Sequence, residues 1–184
     1  LSDSDLIERI FSHIDNNTTD LGDRVWREPT ENYRSVARFE AEIKLLRRLP
    51  VAYCPSAALP EKGSYVARVA ARTPLVAVRG DDGVVRTFRN ACRHRGMAVV
   101  EGEGCAKSLT CPYHAWTYGL DGQLTYIPGD EGFPGLDPKE HGLMPVTTEE
   151  RGGLVFVTQE DPVSQGALTD LPELIAPEQV VFDK

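Results

Sequence analysis

Cys92-Arg93-His94 and Cys111-Pro112-Tyr113-His114 are two short segments that each carry one cysteine and one histidine, and sixteen residues separate them. Thiolate and imidazole groups bind transition metals. Gly96 allows a tight turn after the first segment, and Pro112 stiffens the second between its cysteine and its histidine. The pattern therefore predicts a metal centre with four side-chain ligands: Cys92, His94, Cys111 and His114.

Two kinds of metal centre use two cysteines and two histidines. Structural zinc sites usually take like ligands in pairs, as Cys-x(2–4)-Cys and His-x(3–5)-His. In a Rieske-type [2Fe–2S] centre, two thiolates hold one iron and two imidazoles hold the other. Here each segment supplies one ligand of each type, which a two-metal cluster needs because each segment must reach both irons. The spacing favours the iron–sulfur cluster, and a structural zinc-binding module remains the alternative.

The residues around these segments resemble the Rieske domain of ring-hydroxylating oxygenase alpha subunits. The resemblance covers roughly residues 25–165, and the stretches that carry it are residues 88–97 and 111–118, with residues 39–43 and 59–65 upstream and residues 142–143 and 152–157 downstream. One position departs from the family pattern. Ala115 follows the last histidine where the family usually has glycine, so we expect an ordinary backbone conformation there.

This resemblance implies an electron-transfer role. In the family, a ferredoxin or an NAD(P)H-dependent reductase supplies electrons to the cluster. The electrons then pass to a mononuclear Fe(II) in a neighbouring alpha subunit of a trimer, where O2 hydroxylates a substrate that is usually aromatic. The resemblance thus implies a dioxygenase of aromatic hydrocarbon catabolism. A free-standing Rieske-type ferredoxin is the alternative, and the helices expected before Val51 disfavour it.

The mononuclear iron of such enzymes needs two histidines and a carboxylate. Besides the histidines of the two segments, the chain has His13 and His141, which lie 128 positions apart and are expected at the surface. No Asp-x-x-His motif occurs. We therefore expect no catalytic residue in this chain, and we expect the chain alone not to hydroxylate a substrate. Because its first residue is not methionine, we expect the chain to begin downstream of the true start. Because no site for the mononuclear iron is found, we expect the catalytic domain to be missing from this sequence.

The composition limits the partners and the compartment. Twenty basic and twenty-eight acidic residues give a net charge of −8, which argues against nucleic acid and anionic lipid as partners. The sequence has no apolar run long enough for a membrane span and no secretory leader, so a cytoplasmic protein is expected. In that reducing compartment, Cys54 and Cys105 are expected to be bystander thiols.

Hydrophobic periodicity predicts the secondary structure. Helices are expected at residues 4–14 and 35–46, and Pro50 ends the second. From Val51 onward the pattern changes to short strands with turns between them, and one of these is expected at residues 98–100. We expect both Cys–His segments to leave adjacent strands at one end. The predicted class is mainly β, an antiparallel Rieske-type iron–sulfur domain with N-terminal helices.

The same pattern predicts three regions along the chain. Residues 1–50 form an N-terminal helical segment, and residues 51–160 form the Rieske [2Fe–2S] domain. Residues 161–184 are expected to be a linker toward the missing catalytic domain, with a short helix near residues 170–175.

Overall fold

The computed structural model describes residues 2–161, so the helix expected near residues 170–175 lies outside the described residues. The chain divides between residues 38 and 39 into two compact units, and each is described by itself. Within the described residues, no helix combines the length and the apolar character that crossing a membrane requires.

The first unit contains helix α1, Asp3–Asn16, which confirms the helix predicted at residues 4–14. Its first turn is a capping box. The backbone N–H of Asp5 donates to the Ser2 hydroxyl (3.2 Å), and the Asp5 carboxylate accepts the Ser2 N–H (2.9 Å). Asn17 ends the helix in the left-handed conformation. His13 contacts Asp20 through Nε2 (2.9 Å), which gives this predicted surface histidine an acidic partner.

Helix α2, Val36–Arg47, confirms the second predicted helix. It begins in the first unit and ends in the second. Its last residue is hydrogen-bonded to the far end of the second unit. The Arg47 carbonyl accepts the backbone N–H groups of Gln159 and Glu160, both at 2.9 Å. In the first turn of the helix, the ring of Phe39 lies with its centre 4.7 Å from the guanidinium carbon of Arg72.

The second unit is built on β-strands, which confirms the predicted fold class. Residues 2–161 contain these strands: β1 Val51–Pro55, β2 Ser64–Ala70, β3 Thr73–Arg79, β4 Val85–Arg89, β5 Gly102–Cys105, β6 Leu109–Thr110, β7 Thr117–Tyr118, β8 Leu124–Tyr126, β9 Pro145–Arg151 and β10 Leu154–Thr158. Seven form one sheet in the order β1-β10-β9-β4-β3-β2-β5, and β6, β7 and β8 form a second sheet. The pairings are antiparallel, as expected for strands joined by short turns.

The two sheets share one hydrophobic core. Val76, Val78 and Phe88 of the seven-stranded sheet pack in the same buried cluster as residues of the three-stranded sheet. The members that come from the second sheet and its loops include Leu109, Trp116, Tyr118 and Leu124. Each fully buried side chain of this size stabilises the fold by about 1.5–3 kcal/mol. Cys92 and Cys111 belong to the same cluster, so the predicted centre sits where the two sheets meet.

A second core cluster lies around Tyr53, Leu75, Val155 and Val157. The Tyr53 hydroxyl is buried there and donates to the Leu75 carbonyl (2.9 Å). Cys54 belongs to this cluster, and burial raises the pKa of its thiol to about 11. Cys54 is therefore a protonated core residue outside the cluster that contains Cys92 and Cys111.

The strand expected at residues 98–100 is absent from its predicted place, and the strand in this stretch is β5, which starts at Gly102. The buried amide of Asn90 is the reason. Its Oδ1 accepts the N–H groups of Val99 (2.8 Å) and Val100 (3.3 Å), and its Nδ2 donates to the Val100 carbonyl (2.7 Å). One side chain thus takes the hydrogen bonds that a strand partner would otherwise provide.

Candidate metal centre

The two Cys–His segments sit on different sheets. The first Cys–His loop, residues 92–97, follows β4 of the seven-stranded sheet, and the second, residues 111–116, is the turn between β6 and β7 of the three-stranded sheet. The expectation that both loops leave adjacent strands was therefore wrong, because β4 and the strands β6 and β7 belong to different sheets. The loops meet because the two sheets pack on each other through the shared core.

The two loops have the same backbone hydrogen bonds. In the first loop, the Cys92 N–H donates to the Met97 carbonyl and the Gly96 N–H donates to the Cys92 carbonyl, both at 2.8 Å. The corresponding bonds of the second loop are Cys111 N–H to the Trp116 carbonyl (2.9 Å) and Ala115 N–H to the Cys111 carbonyl (3.0 Å). Each cysteine thus opens a closed turn that fixes the histidine two or three residues later.

Ala115 occupies in the second loop the place that Gly96 occupies in the first. Gly96 has φ +75°, and Ala115 has φ +56°. The expectation of an ordinary backbone conformation at Ala115 was therefore wrong, because the turn itself requires the left-handed region. For a residue with a Cβ, this conformation costs roughly 1–2 kcal/mol. The hydrogen bonds of the loop and the buried Trp116 hold it in place.

The two cysteines are almost completely buried, with 4% of Cys92 and 3% of Cys111 exposed. The hydroxyl oxygen of Tyr118 lies 3.2 Å from the Cys92 sulfur and accepts the Arg93 N–H at 2.9 Å. A cysteine that binds a cluster is a thiolate and has no proton to donate, so the hydroxyl proton would then be directed to Cys92. Burial, reinforced by the hydrogen bond to Cys92, raises the pKa of Tyr118 well above its usual range. Tyr118 therefore keeps its proton and can donate it to this sulfur.

The two histidines of the loops lie side by side, with ring centroids 4.7 Å apart and planes at 65°. His94 is half-buried, whereas His114 is exposed. Burial, followed by the charges of His114 and Arg95, lowers the pKa of His94, which favours the neutral imidazole. Within the described residues, the Nδ1 atom of His94 is buried and has no hydrogen-bond partner. A buried ring nitrogen without a partner is costly, and a bond to a metal would satisfy it.

This donor set fits a two-iron cluster. Among residues 2–161, no three His, Cys, Asp or Glu side chains converge as one metal ion would require. A [2Fe–2S] cluster needs only two protein ligands at each iron. The donor types match that requirement, since Cys92 and Cys111 are buried thiols of one core cluster and the rings of His94 and His114 are neighbours.

Aromatic rings complete the surroundings of the two loops. Trp116 stacks on His94 with a centroid distance of 5.0 Å and an interplanar angle of 10°. Phe133 meets His94 edge-on at 5.8 Å, although its loop gave no sign of a role. His141, expected at the surface, is half-buried and lies 6.3 Å from Trp116 between ring centroids. For Phe133, the only indication in the sequence was that a single aromatic residue stands within a Gly- and Pro-rich loop.

Comparisons with known proteins identify a matching domain family and several relatives of this chain. The Rieske [2Fe–2S] domain family matches residues 50–137. The glycine betaine monooxygenase oxygenase subunit of Chromohalobacter salexigens is 39% identical over 122 residues, which are 65% of this chain and 27% of that protein. The biphenyl 2,3-dioxygenase subunit alpha of Rhodococcus jostii is 32% identical over 139 residues, which are 74% of this chain and 30% of that protein.

A solved structure shows the same fold. It is that of a quaternary ammonium Rieske monooxygenase, described as giving insights into carnitine oxidation by gut microbiota and inter-subunit electron transfer. It superimposes with a TM-score of 0.73 at 30% identity and covers 80% of this chain. The chain spans 41% of that protein and less of the two relatives above. Residues 50–137 are therefore a Rieske [2Fe–2S] domain, and the chain is related to the oxygenase alpha subunits that carry this domain.

Proposed function

We propose that Cys92, His94, Cys111 and His114 hold the [2Fe–2S] cluster, with both thiolates on one iron and both imidazoles on the other. The observation that supports this ligand set most directly is the buried Nδ1 atom of His94, which lacks a partner and lies beside the ring of His114. The two cysteines are buried in the same core cluster. When bound, the cluster supplies a one-electron carrier.

The surrounding residues prepare this carrier for electron transfer. The Tyr118 hydroxyl donates to the Cys92 sulfur, and such hydrogen bonds stabilise the more negative, reduced state. Trp116, 2% exposed, excludes water from the face of His94. His114 is exposed and leaves an open edge for electrons to enter and leave.

The exposed rim of the two loops suits a protein electron donor. Arg93 and Arg95 are accessible in the first loop, and Met97 and Tyr113 expose 43% and 56% of their surface. Arginine, methionine and tyrosine are enriched at protein interfaces, and arginines favour an acidic partner. The proposed donor is a ferredoxin or an NAD(P)H-dependent reductase.

We further propose that the whole protein is the terminal component of a Rieske oxygenase. Its mononuclear Fe(II) and its substrate site belong to a catalytic domain that these residues do not contain, and electrons reach that iron in a neighbouring alpha subunit of a trimer. In the proposed organisation, residues 1–50 are the N-terminal helical segment, residues 51–160 are the Rieske domain and residues 161–184 are the linker. Nearly all of the linker lies outside the described residues. The proposed location is the cytoplasm.

A small quaternary ammonium compound is the substrate class we propose first. The relative at 39% identity is a glycine betaine monooxygenase subunit, and the solved structure is that of a quaternary ammonium monooxygenase connected with carnitine oxidation. An aromatic substrate, expected from the family resemblance, is the second candidate, because the biphenyl 2,3-dioxygenase subunit is 32% identical. The two substrate classes also differ in reaction, because the quaternary ammonium relatives are monooxygenases and the biphenyl relative is a dioxygenase.

The cluster assignment is tested by metal analysis of the purified chain. We expect two irons and two labile sulfides per chain, a red-brown colour and the electron paramagnetic resonance signal of a reduced Rieske cluster. A colourless protein with stoichiometric zinc would support the structural zinc module and contradict the proposal. His94→Ala should lose the cluster, whereas His13→Ala, which changes a histidine of the other unit, should keep it.

The oxygenase assignment is tested with the complete gene product and its reductase. An Asp-x-x-His and a further histidine beyond Lys184 would support the oxygenase, and a natural chain without them would favour a free-standing ferredoxin. We expect oxygen uptake coupled to loss of glycine betaine or carnitine. Oxygen uptake with biphenyl, but not with glycine betaine or carnitine, would favour the aromatic candidate.

A further inference from the structure

A structured strap covers one side of the centre. The strap, residues 128–141, joins β8 to β9 and contains two short 3-10 helices, Asp130–Gly132 and Pro138–Glu140. Its backbone is fixed by its own hydrogen bonds. The Phe133 N–H donates to the Asp130 carbonyl (2.9 Å), and the Leu136 N–H donates to the Phe133 carbonyl (3.1 Å). The strap therefore presents its side chains from a defined backbone.

Phe133 of the strap contacts two rings of the centre at once. Its ring lies edge-on to His94, at 5.8 Å and 88°, and edge-on to Trp116, at 5.5 Å and 79°. Trp116 in turn stacks flat on His94. Each of the three rings thus touches the other two, in the geometries that aromatic pairs prefer.

A second contact of the strap reaches Trp116 from another direction. His141 meets the indole at a centroid distance of 6.3 Å and an angle of 72°. Its Nδ1 atom lies 2.8 Å from the Asp137 carbonyl oxygen, which fixes the orientation of the ring. Trp116 is therefore held between the strap and His94.

His94 and His114 differ in how far neighbouring side chains cover them. His94 is half-buried among Trp116 and Phe133, whereas His114 is exposed and stacks on Tyr113, which is itself 56% exposed. The strap thus shields the centre on its His94 side and leaves the His114 side open.

We propose that Phe133 is a positioning residue that clamps the His94 ring, directly and through Trp116, and so limits water to the His114 side of the cluster. The proposal rests on the proposed ligand set. Clamping holds the imidazole in the orientation that its iron requires, as outer residues do at other metal sites. Loss of the Phe133 ring would admit water beside His94. Water stabilises the reduced, more negative cluster, so the reduction potential would rise.

The test compares Phe133→Ala, Phe133→Leu and Phe133→Tyr with Leu136→Ala in the 184-residue chain. Leu136 is half-buried in the same strap and packs against the same core, so its truncation controls for general loosening. Phe133→Leu keeps apolar bulk and removes only the ring, which protects the test if the alanine variant does not fold. Phe133→Tyr keeps the ring and should restore the behaviour of the natural chain.

We expect the leucine and alanine variants to have a higher reduction potential and a shifted electron paramagnetic resonance spectrum. Iron release to a chelator should become roughly tenfold faster, the lower end of the effects seen when outer residues of metal sites are changed. Leu136→Ala should leave the potential and the spectrum unchanged. If the natural chain contains no iron or sulfide, the proposed ligand set fails. If it carries the cluster but Phe133→Leu behaves like Leu136→Ala, the ligand set stands and the clamp is refuted.

Discussion

Replacement of Tyr118 by phenylalanine removes one hydroxyl from the centre and leaves the shape of the side chain unchanged. Tyr118 is completely buried, and its oxygen lies 3.2 Å from the Cys92 sulfur and 2.9 Å from the Arg93 nitrogen. The phenyl ring would keep its place in the core between the sheets. The change therefore removes the hydrogen bond to the sulfur, together with the one that the oxygen accepts from the Arg93 N–H.

The expected shift follows from the strength of that bond. A hydrogen bond to a charged group contributes about 1.5–3 kcal/mol. Reduction makes the sulfur more negative, and we assign about 1 kcal/mol of that strength to the difference between the two redox states. For a one-electron couple, 59 mV corresponds to a tenfold change in the equilibrium constant, or about 1.4 kcal/mol. Tyr118→Phe should therefore lower the reduction potential by about 40 mV.

Protein-film voltammetry measures this shift directly, and Tyr53→Phe is the matched control. Tyr53 is also buried, with 1% exposed, but its hydroxyl binds the Leu75 carbonyl in the second core cluster. Tyr53→Phe should lower the free energy of unfolding by about 1–3 kcal/mol and leave the potential unchanged. A Tyr118→Phe protein with an intact cluster and an unchanged or higher potential would refute the reasoning.

The remaining predictions concern the backbone, the thiols and the potential of the natural chain. Ala115→Gly should raise the free energy of unfolding by roughly 0.5 kcal/mol, because relief of the left-handed backbone exceeds the added freedom of the unfolded chain. Gly96→Ala should lower it by roughly 0.5 kcal/mol, because the same two effects act in reverse and an added Cβ would meet nothing within 4 Å. Changes of the same sign in thermal unfolding would contradict the equivalence of the loops. Cys92→Ser should abolish the visible spectrum of the cluster, whereas Cys105→Ser, at an exposed thiol, should keep normal iron content. The reduction potential should lie near the low end of the Rieske range, about −150 mV, and vary little near neutral pH; voltammetry above roughly +100 mV would contradict this.

The chemistry of the centre and the main elements could be predicted from the sequence because they depend on neighbouring residues. The mixed pairing in Cys92–His94 and Cys111–His114 indicates a two-metal cluster whatever lies elsewhere in the chain. Helix α1 follows from a capping serine and apolar residues at helical spacing. The hairpin of β2 and β3 follows from short strands with a turn between them.

Contacts between distant residues decided the rest. The strand expected at residues 98–100 is lost to the side chain of Asn90, a choice that no local propensity encodes. The left-handed conformation of Ala115 is imposed by a closed turn, against the preference of alanine. The packing of two sheets brings the Cys–His loops together, and it places Phe133 against His94 from far along the chain. The sequence by itself thus determined which side chains are available as the proposed ligands of the cluster. The tertiary structure decided which of them is shielded from water, because shielding depends on atoms that meet only when the chain is folded.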